Sequence, residues 1–391
     1  MAAIAATALL LGGALRIDDR ASAAPTTRQL VRFGLRELDA ARTGDPARYV
    51  RAERALRRAL AAEPNDVQAL IGLASLANSR HQFRAGLALA RRAQRVSPDT
   101  ALTHAAVGDS LIELGRYDEA FATFDRLSEL KPGFASYSRT SYALELLGQV
   151  GPAITAMSLA ADAAGGQGEA AAFARVRLGK LQFSAGRLAA AAREYRAARR
   201  AAPGYVEALD GLAHVAAARG QFRTAIRLER RAVERSPLPQ YVGVLGDFYR
   251  AAGKARLARE QYELVGAIDR LYAANGVATD LELALFNVDH GIRLRESLAR
   301  ARRARSERPS IEADGVLAWA LMRNGRCGEA LRYSKRALRL GTLDASKFFH
   351  RGMIERCLGR NAQARLWFSR ALRLNPHFSL VWAPVARRAA A

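Results

Sequence analysis

One interval constrains this 391-residue chain more than any other feature: about 34 residues. Pro64, Pro98 and Pro132 are spaced by 34, as are Pro203 and Pro237, and Pro309 and Pro376 stand two steps apart, at 67. Glycines keep the same step of 33 or 34, at Gly115 and Gly148, at Gly186, Gly220 and Gly253, and at Gly325 and Gly359. The stretch LIELGRYDEAFATFDRLSELKPG, Leu111–Gly133, returns in altered form ending at Gly204, Pro237 and Pro376. A period of this size means copies of one small unit, each able to bury its apolar face only against another copy.

Inside a unit the apolar residues fall at helical spacing, for example Leu209, Leu212, Ala213 and Ala216, then Ala225, Leu228 and Ala232. The glycine interrupts the pattern midway and the proline ends it, so each unit holds two helices. A glycine reverses the chain in the left-handed conformation that other residues resist. Five residues later comes alanine, at 120, 153, 191, 225, 258, 330 and 364, small enough for helices to approach closely. Four further on stand Phe124, Met157, Tyr195, Tyr262 and Phe368, knobs that fill the space toward the next unit. Abundant alanine and few aromatics favour helices over strands.

With these offsets in place, the unit resembles the tetratricopeptide repeat of bacterial type: helix, turn, helix, a small residue, an aromatic and a terminal proline. The resemblance runs from about Thr27 to Pro376 in ten units, 33–66, 67–100, 101–133, 134–171, 172–205, 206–238, 239–277, 278–310, 311–344 and 345–378. It implies an all-α fold, a right-handed α-solenoid over residues 27–378, with 379–391 as a C-terminal capping segment that Pro384 would bend or end. Several units depart from the pattern. Gly44-Asp45-Pro46 breaks the first helix early, and the eighth unit lacks its glycine in register. Added residues around Gly165-Gly166-Gln167-Gly168 and Ala273–Gly276 make 164–171 and 270–278 candidate joints.

Residues 1–26 carry an apolar run, Ala2–Leu15, followed by Ala21-Ser22-Ala23, which resembles a secretory signal with its cleavage site or a membrane anchor, though no basic residue precedes the run. The run is shorter than the roughly 20 residues a spanning helix needs. The expected location is therefore extracytoplasmic or membrane-anchored, with the cytoplasm as the other reading. Cys327 and Cys357 lack metal-ligand spacing. They lie in neighbouring units, so a disulfide is conceivable, and two small semi-buried thiols is the favoured reading.

The net charge is +24, from 61 basic and 37 acidic residues, and all but five of the bases are arginine. Such a balance fits a surface for nucleic acid, anionic lipid or an acidic partner. It equally fits arginines spread over solvent-facing helices, since they recur on helices instead of clustering in one tail. Catalysis finds no support. The six histidines are scattered, and HExxH, GxSxG and the phosphate-cradling GxxxxGK[ST] are absent. Asp289-His290-Gly291 invites a catalytic pair, but adjacent helical residues point in different directions, and His290 reads as a helix-end histidine.

A solenoid of helix pairs lines a concave groove with its first helices. Counting three, six, ten and thirteen residues back from each reversal selects one face of those helices. Its acids are Asp109, Glu145, Glu207, Asp210, Asp247, Glu282, Asp289 and Glu312, against Lys180, Arg250 and Arg356. Asp210, Asp247, Glu282 and Asp289 are the densest acidic stretch; His214 shares the face, and Trp319, Phe349 and Met353 add apolar contacts. These acids either meet a ligand or pair with neighbouring arginines. The carboxylate clamp of chaperone-binding members is not matched, since Asn78 and Lys180 stand alone. The expected function is a non-catalytic scaffold that holds a protein or extended peptide, basic or neutral, in an acidic-to-neutral groove, without cofactor, metal or small-molecule substrate. The alternative is electrostatic binding of nucleic acid or anionic lipid by the arginine-rich convex face.

Overall fold

The computed structural model describes residues 25–390 apart from 42 and 43, so the apolar run and the Ala21-Ser22-Ala23 site lie outside the described residues. Among the described residues there are 21 α-helices, from Thr27–Ala41 to Ala383–Ala390, and no strand. None of these helices is long and apolar enough to cross a membrane. Helices pack mainly on their chain neighbours, as Gly168–Ser184 does on Leu188–Ala201. The all-α array of helix pairs is therefore as expected.

The local signals act as their chemistry requires. Helices stop at Ala62, Val96, Leu130, Ala201, Arg235, Glu307 and Leu374, each two residues before a proline, which has no N–H to continue the ladder. The mid-unit glycines reverse the chain at positive φ, 69° at Gly115 and 76° at Gly325. The second unit solves the reversal without glycine. His81 takes the glycine position of the second unit at φ 60°, and its Nδ1 lies 2.7 Å from Ala278 O. The eighth unit, expected to lack its glycine, has one after all: Gly291, 34 residues before Gly325, caps Asp280–His290 at φ 72° once the residues added around Ala273–Gly276 are allowed for.

The first helix does end before the Gly44-Asp45-Pro46 break, while the last differs from the sequence expectation. Thr27–Ala41 is a regular helix of 15 residues, because Thr26 and Gln29 cap each other: Thr26 N donates to Gln29 Oε1 at 2.8 Å and Gln29 N to Thr26 Oγ1 at 3.3 Å. Pro384 lies in the first turn of Ala383–Ala390, where its missing N–H is harmless, so it neither bends nor ends that helix. Cys327 and Cys357 are also joined, with Cα atoms 6.1 Å apart, where spacing favoured two thiols. Neighbouring helix pairs bring the start of one helix beside the end of the next, a proximity that residue counting does not reveal.

Each knob fills a hole made by a missing side chain. Phe124 lies over Gly108, and Tyr195 sits against both Gly179 and Gly211, so a Cβ on any of these glycines would overlap a ring. Phe124, Met157, Tyr195 and Phe368 are at most 2% exposed, whereas Tyr262 is only part buried. Losing such an aromatic costs about 3–5 kcal/mol. In the sixth unit the knob position, four residues after Ala225, holds Glu229. It is 0% exposed, and neither carboxylate oxygen has a hydrogen-bond partner. Burial, with the Asp210 charge adding to it, pushes this acid up to about 10, so it is neutral at pH 7.

The described chain forms two compact units. The first runs to Arg139 and includes Leu271–Ala278; the second comprises Thr140–Arg270 and Thr279 onward. The Gly165–Gly168 turn lies inside the second. Within the first unit Ala278 N donates to Arg80 O at 3.0 Å and Gln82 Nε2 to Gly276 O at 3.1 Å. Within the second, Thr342 Oγ1 donates to Leu146 O, and Asn375 Nδ2 to Phe183 O at 3.0 Å. Reversal loops thus meet segments more than 190 residues away in sequence, so each unit is closed by contacts beyond nearest-neighbour stacking.

Candidate functional site

In the second unit, six first helices carry the residues of interest: Gly168–Ser184, Val206–Ala218, Pro239–Ala251, Asp280–His290, Ile311–Arg323 and Ala345–Cys357. Three of the predicted acids, Asp210, Asp247 and Asp289, stand on consecutive members of this series. Asp210 faces His214, one helical turn on, with Oδ1 to Nε2 at 3.3 Å. Burial would raise Asp210, but the charge and hydrogen bond of His214, and then Lys180, pull it below the usual carboxylate value. Burial would lower His214, and Asp210 overrides it, so the imidazole is raised. The Lys180 ammonium is lowered by burial, with Asp210 opposing. His214 still keeps 38% of its side chain exposed, with Phe183 and Phe248 edge-on beside it. This part of the face is charged and open to water.

Asp247, 22% exposed, has two side-chain partners. Its Oδ1 accepts from Tyr262 Oη at 2.7 Å and from His290 Nε2 at 2.8 Å. His290 Nδ1 lies 2.6 Å from Phe286 O, so both ring nitrogens face acceptors and the imidazolium satisfies both. Burial would lower His290, but its hydrogen bond to Asp247 and that residue's charge raise it. The expected divergence of Asp289 and His290 holds: His290 turns to Asp247, and Asp289 turns to tryptophan.

Asp289 Oδ1 accepts two indole N–H groups, from Trp319 at 2.8 Å and from Trp382 at 2.9 Å. Burial raises its carboxyl to about 6, with the indole hydrogen bonds opposing. Trp319 is 0% exposed, stacked on His350 at 4.2 Å and edge-on to Trp382 at 5.3 Å. Burial, aided by Lys347 and Arg323, holds His350 down to about 3, so it stacks as a neutral ring. Arg323 lies over both indoles, at 5.5 and 5.1 Å from their centroids. Phe349, also 0% exposed, touches Phe378 and Trp382, each at 5.6 Å. Met353 packs at the rim of this cluster, where its Sδ accepts from Arg356 Nη2 at 3.2 Å.

Four other predicted acids, Glu145, Glu282, Glu312 and Asp109, pair with cations. Glu145 accepts from Arg177 Nη2 at 2.7 Å, Glu282 is bridged by Arg308 and Glu312 by Lys347. In the first unit Asp109, 2% exposed, takes a two-pronged bond from Arg139, 1% exposed, at 2.7 and 2.6 Å. Asn78 is occupied as well, donating to Ser110 Oγ at 3.0 Å.

The tetratricopeptide repeat model matches residues 79–133, 176–238 and 316–377. The chain is a tetratricopeptide repeat protein. No curated protein matches it. Among solved structures it is similar to the Cut9–Hcn1 hetero-tetramer of APC/C, with 15% identity, 93% of this chain and 76% of that one covered, and a TM-score of 0.43. Human IFIT1, solved as a dimer with PPP-AAAA, shares 15% identity over 89% and 84% of the two chains at a TM-score of 0.49. PilW, a type IV pilus biogenesis factor, shares 18% over 51% and 92% at 0.43. Tetratricopeptide proteins are protein-interaction scaffolds and generally non-catalytic.

Residues that the sequence did not assign to the groove complete the face of this tetratricopeptide protein: Tyr262 and His290, named there in other roles, with Arg323, His350 and Trp382. His350 was legible as the helical neighbour of Phe349, and Tyr262 as a knob with a polar tip. Trp382 carried no such signal, because its partner Asp289 is 93 residues away.

Proposed function

We propose that the chain is a non-catalytic scaffold that holds a protein or extended peptide along the acid-bearing face of its first helices. The observation that carries this reading is the row from Lys180 through Asp210, His214 and Asp247 to Asp289 and Trp319. It spans five successive first helices of one unit and stays open to water at Asp210 and His214, 15% and 38% exposed. Its two ends differ in chemistry. The Asp210 end suits a basic or neutral polar segment, and the Trp319 end suits an apolar one. Partner capture from native cells tests it, comparing wild type with a Glu207→Lys/Asp210→Lys double variant after high-salt washing. A protein held by wild type and lost by the variant is the expected result; equal retention removes the groove assignment.

A cleft of about 630 Å³ favours the second reading, electrostatic binding at the arginine-rich outer surface. It is lined by Arg223, Arg227, Arg230, Arg231 and Lys254 with Glu234 as its one carboxylate. Nucleic acid or anionic lipid bound there would be released by salt in proportion to the phosphates neutralised, and equally from wild type and the double variant. Placement outside the cytoplasmic membrane, or anchored to it, is part of the same proposal. It draws support from the Cys327–Cys357 disulfide, a bond that persists in oxidising compartments.

A further inference from the structure

We propose that residues 375–382 are an intramolecular ligand, occupying the aromatic end of the groove as a partner's extended, tryptophan-bearing segment would. This rests on the groove reading above and names the chemistry of its apolar end.

The segment is built like a bound peptide and unlike core. It is non-helical, between helices Asn361–Leu374 and Ala383–Ala390. Asn375 and Ser379 fold it on itself: Asn375 Oδ1 accepts from His377 N at 2.9 Å, and Ser379 Oγ accepts from Val381 N and Trp382 N at 3.2 and 3.1 Å. None of residues 376–382 is fully buried, whereas the floor beneath, Ala213, Phe248, Trp319 and Phe349, is 0% exposed. Three side chains reach down. Phe378 meets Phe349, Leu380 packs against the cluster that contains Ala213, Ala216 and Phe248, and the Trp382 indole donates to Asp289.

A continuing repeat helix would pack on its immediate neighbours. Trp382 instead reaches helices two and three repeats back, at Trp319 and Asp289. Beside it Arg323 Nη1 is buried without a hydrogen-bond partner, a donor positioned for a carbonyl or carboxylate. The fit specifies a partner segment with an aromatic residue and, four positions on, a tryptophan. Tethered in the chain, the tail competes at an effective concentration on the order of millimolar, so a partner must displace it.

The test uses the full chain and a labelled synthetic peptide of residues 375–390 added in trans, read by fluorescence anisotropy. The triple variant Phe378→Ala/Leu380→Ala/Trp382→Ala, shown folded by its helical circular dichroism, should bind this peptide at least tenfold more tightly than wild type. Asp289→Ala in that background should reverse the gain. Equal affinity for wild type and the folded triple variant, or no binding to either, overturns the proposal. Hydrogen exchange on the wild type serves if the variant does not fold. Amides of 377–382 should open well before those of Asn361–Leu374, and exchange only through global unfolding makes the tail core and ends the idea. Peptide binding and partner capture fail separately. A partner lost with Glu207→Lys/Asp210→Lys but no peptide binding removes this inference alone. Peptide binding with no captured partner leaves the tail and removes the wider groove reading.

Discussion

Asp109 in the first unit and Asp247 in the second occupy the same place in their repeats, six residues before the reversing glycine, yet live in different chemistry. Asp109 faces a guanidinium, buried with it and held by two parallel bonds. Asp247 faces an imidazole and a phenol. The first pair joins a carboxylate to a guanidinium, with no imidazole in it. The second depends on a proton. His290 is raised in the folded state, so its contribution is complete below the ordinary histidine value and fades as pH climbs through the raised one. Register fixes where an acid stands; the residue offered by the next repeat decides whether it is a rivet or a titratable group.

The contrast can be broken most forcefully at the rivet. Arg139→Met leaves Asp109 buried without its partner and should cost about 3–5 kcal/mol in urea unfolding. Adding Asp109→Leu should restore most of the loss, because the stranded charge is the damage. If Arg139→Met alone is silent, the pair is not a structural unit.

Glu229 is the opposite extreme, an acid with no partner at all. The folded protein keeps a proton that the unfolded chain releases, so this group weakens the fold as pH rises from 4.5 to about 10, by about 1.4 kcal/mol per unit. Glu229→Leu should therefore stabilise by about 3 kcal/mol at pH 7 and flatten that slope. A variant that melts with the wild type at every pH would mean that the carboxylate is solvated after all.

His350 sharpens the comparison on the acid side. It is held neutral down to about 3 against an ordinary 6.5, so the unfolded chain takes a proton that the folded one refuses. Stability should fall below pH 6.5 by up to about 1.4 kcal/mol per unit. His350→Phe, which preserves a ring against Trp319, should remove that dependence between pH 6.5 and 4.5 in paired unfolding curves. An unchanged slope would place the acid sensitivity elsewhere, with Asp289 and its value of about 6 acting in the opposite sense.

The array was legible in the sequence because its signals are local. A glycine at positive φ, a proline two residues past a helix end and a ring over a glycine each act within one unit or its neighbour. The helix face that several acids share was legible for the same reason, since spacing along a helix selects a face. Partners were not. Asp109, Glu145, Glu282 and Glu312 look alike in sequence to Asp210, Asp247 and Asp289, and the two sets divide by what the neighbouring helices present.

By itself, then, the sequence determined the repeat, its helix pairs, their stops and reversals, and the face on which the acids lie, all consequences of backbone preference and helical period. Only the tertiary structure decided that Cys327 meets Cys357, that Glu229 fills an aromatic's place unpartnered, and that Trp382 closes on Asp289 from 93 residues away. Those contacts depend on small rotations between repeats that accumulate along the array, and no residue spacing encodes where they bring the chain back upon itself.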